Sequence, residues 1–147
     1  MSNLIFRENQ IICFQTNYFK KKCDLTGYRC YLLKGIDENK GLLTFFPIVS
    51  NRFRGWPPYS QYKIENRSSC LDSKIYSESF VNINCLIKIP INLTKFLERN
   101  CKDIHQTCLD KEEFKKILEL HNSVIESQES LGTDAEVVKL TEKNFVF

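Results

Sequence analysis

Residues 28–49 read YRCYLLKGIDENKGLLTFFPIV, two apolar runs on either side of a polar turn. The first run, 28–34 (YRCYLLK), and the second, 42–49 (LLTFFPIV), have the length and the aromatic and aliphatic content of strands. Between them, GIDENKG gathers Gly, Asp and Asn. These residues accept unusual backbone angles or hydrogen-bond their own backbone, so they mark a turn. Two strands joined by such a turn predict a β-hairpin with its turn at 35–41 and Pro47 near the end of the second strand. Outward from the hairpin, Ile11-Ile12-Cys13-Phe14 predicts an earlier buried strand, and the polar, basic stretch 20–27 predicts a loop. Gly55-Trp56-Pro57-Pro58 breaks regular structure. A fourth strand is expected at 62–64 and a fifth at 85–89 (CLIKI), with 73–84 ambiguous.

The pattern changes after Pro90. Asn92 or Thr94 is placed to cap a short helix through Leu97. A longer helix follows: Asp110 is an N-cap residue and Glu113 stands three positions on, as in a capping box. Phe114, Ile117, Leu118, His121, Val124 and Ile125 then recur on one helix face. Beyond Gln128 this periodicity fades. Residues 129–147 are expected either to form a tail or to dock through 135–140 with Phe145 and Phe147. Strands first and helices afterwards predict an α+β chain, a small antiparallel β-barrel with a C-terminal helix or helices. The domain division is 1–127 for the barrel with its terminal helix and 128–147 for the C-terminal tail.

A chain of 147 residues that is 42% hydrophobic and 27% charged is expected to form one globular domain with a core of its own. No apolar run approaches the roughly 18 residues of a membrane span, and MSNLIFRENQ carries no apolar leader core. The seven cysteines show no Cys-x-x-Cys pair. They are expected to be reduced thiols in a cytoplasmic protein, most of them small buried hydrophobes. The net charge of +3 excludes nothing by itself, but its distribution is uneven. Arg7, Lys20, Lys21, Lys22, Arg29 and Lys34 face only Glu8 and Asp24 in the first part. Arg52, Arg54, Lys63 and Arg67 face only Glu65 in the middle. A basic half before an acid-rich end is either a polyanion-facing surface or a solvated lysine surface.

Three kinds of chemistry lack support. Cys101-x3-His105-x2-Cys108 offers three zinc ligands but lacks a fourth unless Asp103 or Cys30 joins, so no metal and no cofactor is expected. The five glycines are scattered and make no phosphate loop. Asp37-Glu38 and Glu112-Glu113 sit at a turn and a helix start, and His121 lies on an apolar helix face as a packed core residue. The better constellation comes from the hairpin. If strands 28–34 and 42–49 pair, Arg29 at the start of one meets Ser50 just past the end of the other. Directly after Ser50 come Arg52, Phe53, Arg54, Trp56, Tyr59, Tyr62 and Lys63. Arginine presents a permanent charge and a planar fork to phosphate oxygens, and aromatic side chains stack unpaired bases. The plainer reading is a surface arginine beside a turn serine, with the aromatics in the core.

At these residues the chain resembles the MazF/PemK family of toxins. Phe6-Arg7-Glu8-Asn9-Gln10-Ile11-Ile12 has the shape of the family's opening, an aromatic or basic residue, Gly-Asp and a hydrophobic strand. Arg29-Cys30-Tyr31-Leu32-Leu33 stands where the family has Arg-Pro before a strand. Pro47-Ile48-Val49-Ser50 and Arg54-Gly55-Trp56-Pro57 stand where it has Pro-x-Thr/Ser and Lys-Gly-aromatic-Pro. Asp72-Ser73 and Glu78-Ser79 resemble a later acidic segment. The resemblance covers residues 5–125; Asn9-Gln10 replaces Gly-Asp, Cys30 replaces proline and Ser79 replaces glutamine. Type III toxins of the ToxN sort share the barrel and are close relatives of this pattern. The resemblance implies an SH3-like barrel, a homodimer with a cognate antitoxin, and metal-independent cleavage of single-stranded mRNA by attack of the 2′-hydroxyl on the adjacent phosphate. It implies catalytic roles for Arg29 and Ser50; the basic and aromatic run after Ser50 is expected to hold the RNA, through Arg52, Arg54, Trp56, Tyr59 and Lys63. Two rivals stand beside it: a non-catalytic SH3-like barrel that binds RNA or a partner protein, and a thiol- or zinc-dependent enzyme.

Overall fold

The computed structural model describes residues 6–20, 23–49, 61–64, 79–83, 85–100, 108–131 and 136–145. Its fold is α+β, a mostly antiparallel seven-stranded sheet backed by a long helix. Strand β1 (Ile11–Thr16) is apolar on successive residues because both of its faces are covered. It pairs antiparallel with β4 (Gly27–Asp37), from Ile11↔Leu32 to Thr16↔Gly27. Strand β4 forms the expected hairpin with β5 (Leu42–Val49). The far side of β5 is shared. Near its end it pairs with β7 (Phe80–Asn82), which carries β6 (Gln61–Lys63), and along its first half it pairs with β8 (Cys85–Pro90). Strand β9 (Glu136–Lys139) then adds parallel to β8, so the end of the chain docks into the sheet. Thr16 also bridges Phe145, and the Asn17 N–H donates to the Asn144 carbonyl at 2.8 Å. One bridge thus ties the end of β1 to the segment that follows β9.

The two faces of the sheet carry two cores. On the inner face Phe14, Tyr31, Phe45, Ile87, Val138 and Phe145 cluster, with Leu97 of α1 (Thr94–Asn100) among them. Phe14 stacks on Tyr31 with centroids 4.1 Å apart, and Phe45 meets both rings edge-on. On the outer face α2 (Lys111–Leu131) lays Phe114, Ile117 and Val124 against Ile11, Leu32, Phe46, Ile48 and Val81. The helix starts where the capping residues put it: Asp110 Oδ2 accepts the Glu112 and Glu113 N–H groups at 3.1 and 3.3 Å. Glu113 is buried, and its carboxylate accepts a hydrogen bond from the Tyr62 hydroxyl at 3.3 Å.

Several local expectations are corrected. The stretch 20–27 is not all loop, because Phe19–Lys20 (β2) and Cys23–Asp24 (β3) pair as a short ribbon. The hairpin turn does not begin at Gly35. Strand β4 runs on to Asp37, and Gly35 follows a register shift within the ladder. The reversal comes at 38–41, where Asp37 Oδ1 accepts the Lys40 N–H at 3.0 Å and Gly41 adopts a φ of 67°. The expectation of reduced cysteines fails for two of them: Cys13 and Cys30 form a disulfide. They are opposite residues of β1 and β4 with Cα atoms 4.0 Å apart, so the ladder itself brings the sulfurs together. Cys85 and Cys108 keep their thiols. Reduction of this bridge, which spans 17 residues, is expected to cost about 3 kcal/mol. Urea unfolding with and without reductant measures this; equal midpoints would show that the bridge adds no stability. Among the described residues no helix is long and apolar enough to cross a membrane.

Candidate functional site

The ladder brings the start of β4 to the end of β5. Its last pair is Cys30↔Ile48, so Arg29 and Val49 are the next residues along the two strands and Ser50 follows Val49 directly. Val49 pairs with Phe80, and Phe80 with Lys63. On the other side Arg29 pairs with Phe14. Residues opposite one another in antiparallel strands share a face. Lys63, Phe80, Val49, Arg29 and Phe14 thus form one row across five strands. Arg29 and Lys63 stand three strand spacings apart, about 14 Å at about 4.8 Å per strand. Lys63 is exposed and Arg29 is half-buried. The Arg29 Nε is buried and makes no hydrogen bond among the described residues. A buried donor without a partner is costly, and a guanidinium has four further N–H groups with which to hold an oxyanion.

Of the residues expected at the site, Arg29 and Lys63 therefore share a row at one end of the sheet. Ser50, Arg52, Arg54, Trp56 and Tyr59 lie outside the described residues, as do Asp72, Ser73 and Glu78. They belong to the segments 50–60 and 65–78, which join β5 to β6 and β6 to β7. Ser79 is buried just before β7. Cys101 and His105 also lie outside, and among the described residues no group of three or more metal-ligating side chains forms.

His121 is the packed core histidine that its helix face predicts. It is 1% exposed, its ring meets Phe46 edge-on at 5.1 Å, and its Nδ1 lies 2.9 Å from the Ile83 carbonyl. A carbonyl only accepts, so Nδ1 carries the proton and the neutral ring leaves Nε2 as an acceptor. Burial lowers its pKa below 6.5, and Lys34 adds to the lowering. Because the folded value lies below the unfolded one, the contribution of neutral His121 is complete above about pH 6.5. It is lost as pH falls from there through the folded value, since only the unfolded chain binds the proton in that window. His121→Gln is expected to flatten the stability curve over this range relative to wild type, read by urea midpoints at successive pH values. Parallel curves would show that His121 does not titrate with unfolding.

Sequence reading missed one polar group. Lys34, Thr44, Lys88 and Asn122 line a common cavity on the helix side of the sheet. Gly35 was the available signal, but a glycine beside a polar turn reads as part of the turn. Comparison of the sequence with known protein families and with curated proteins gives no match.

Proposed function

We propose that this chain is a metal-independent endoribonuclease of the MazF/PemK toxin type, acting on single-stranded RNA. The observation that carries the reading is the row in which Arg29, whose Nε has no hydrogen-bond partner among the described residues, stands beside the last residue of β5, immediately before Ser50. Two further observations support it. Thr16 at the end of edge strand β1 bridges Phe145, six residues past β9, a contact that an SH3-like barrel would make. Asn9, at the family's glycine position, has a φ of 65°, a conformation that glycine adopts freely and asparagine tolerates.

In this reading the RNA 2′-hydroxyl attacks the adjacent phosphorus, the bond to the 5′-oxygen breaks, and a 2′,3′-cyclic phosphate and a 5′-hydroxyl remain. An arginine side chain is a poor base. The role of Arg29 is to stabilise the charge that develops on the pentacoordinate phosphate. Ser50 positions the same phosphate. Lys63, with Arg52 and Arg54, holds flanking phosphates, and Trp56 and Tyr59 stack unpaired bases. The reading includes a homodimer restrained by a cognate antitoxin.

Incubation of the purified protein with a long RNA in EDTA tests it. Fragments ending in 2′,3′-cyclic phosphate are the expected result. Intact RNA under these conditions would sink the proposal and favour a barrel that binds RNA or a partner protein without cutting.

A further inference from the structure

The β4–β5 ladder steps between Leu33↔Phe45 and Gly35↔Thr44, which leaves Lys34 unpaired. An extra residue of this kind bends a strand and re-aims the side chains beside it. Here Lys34 lines a cavity of about 450 Å³ between the sheet and α2. Thr44 and Lys88, opposite residues of β5 and β8, line it from the sheet, and Asn122 lines it from the helix. Gly35 is also at the cavity and adds no side chain to fill it. The volume lies within the ordinary range of small-molecule sites.

The lining carries two lysines and two carboxylates that differ in burial. Lys34 and Lys88 are both half-buried. Burial and then the Lys88 charge lower the pKa of Lys34, and Glu8 acts in the opposite sense with a smaller effect. The two acids of the lining, Glu8 and Asp37, are exposed, and Asp37 already accepts the Lys40 N–H in the hairpin turn. Two ammonium groups in one partly desolvated space are unfavourable unless an anion joins them. A phosphate monoester carries about 1.5 to 2 negative charges near neutral pH, whereas a carboxylate carries one. The monoester therefore matches the pair.

We propose that this cavity binds a small phosphorylated molecule, with its phosphate between Lys34 and Lys88 and hydrogen bonds from the Thr44 hydroxyl and the Asn122 amide. The site is separate from the Arg29 row. Lys34 stands five residues along β4 from Arg29, and the cavity lies on the α2 side of the sheet, whereas Arg29 shares the inner face with Phe14.

Titration of the full chain, followed by amide NMR, tests the proposal with three probes: inorganic phosphate, adenosine 5′-monophosphate and adenosine. Phosphate and the monophosphate are expected to shift amides at 34–37, 42–44 and 118–122, and adenosine is not. Lys34→Gln and Lys88→Gln are each expected to weaken binding of the monophosphate at least about tenfold, a loss of 1.4 kcal/mol. Leu118→Trp, which fills the cavity without changing its charge, is expected to do the same, so the result does not hang on one variant folding. No shift from phosphate or the monophosphate up to roughly 10 mM, a range that covers even millimolar affinity, would overturn the proposal. So would equal binding of adenosine, or unchanged binding by the variants. A single-stranded oligonucleotide that shifts these amides when the two phosphate probes do not would assign the cavity to an RNA path and overturn the small-molecule site.

Discussion

Arg29→Ala protein is expected to cleave RNA about 10²–10³-fold more slowly than wild type, the usual loss when one group that stabilises a developing oxyanion is removed. The expectation rests on the proposed ribonuclease reading and on the position of the residue. Arg29 stands beside the end of β5, half-buried, with an Nε that has no hydrogen-bond partner among the described residues. Its removal takes a group from the site without taking a protein partner from another side chain at that nitrogen, so thermal unfolding should move little. Arg29→Lys keeps the charge but loses the planar fork, and a rate between those of wild type and alanine variant is expected. Single-turnover cleavage of a fluorescent oligonucleotide gives these rates. An alanine variant as fast as wild type would remove Arg29 from the chemistry, whatever the protein does to RNA.

The largest stability effect is expected at Phe45. Its ring is fully buried on the inner face and meets Phe14 and Tyr31 edge-on, with centroids 6.2 and 6.4 Å away. Those two rings stack on each other and come from β4, which pairs with β5, and from β1, the next strand beyond β4. Phe45→Ala deletes the ring and opens a cavity where three strands meet. Such a change costs about 3–5 kcal/mol, against a total stability of about 5–15 kcal/mol for a domain of this kind. Lys63→Ala, at an exposed residue, is expected to stay within about 0.5 kcal/mol and serves as the control. Urea unfolding resolves the two. A Phe45→Ala midpoint equal to that of wild type would mean that the aromatic cluster does not hold the sheet together.

How much of this was legible from residue order alone follows the range of each interaction. The 28–49 hairpin was readable because both strands and their turn lie within one short stretch, where apolar runs and Gly, Asp and Asn act on their own neighbours. The start of α2 was equally readable, since Asp110 satisfies N–H groups only two and three residues away. The meeting of Arg29 with the end of β5 followed from the same hairpin. Strand β7 was not readable, because Phe80–Asn82 is too short to carry a period and takes its form from pairing with β5 and β6.

Tertiary structure decided the rest. Seven cysteines carry no record of which two will meet; Cys13 and Cys30 do so because the β1–β4 register sets them opposite. The end of the chain docks because β8 offers it an open edge and Phe145 a place beside Phe14, with centroids 5.3 Å apart. The Lys34–Lys88 cavity depends on one extra residue in β4, and a single-residue shift in register decides which side chains share a face. Local preference selects strand, turn or helix; only the summed burial of both sheet faces selects the register, and the register determines which distant side chains become neighbours.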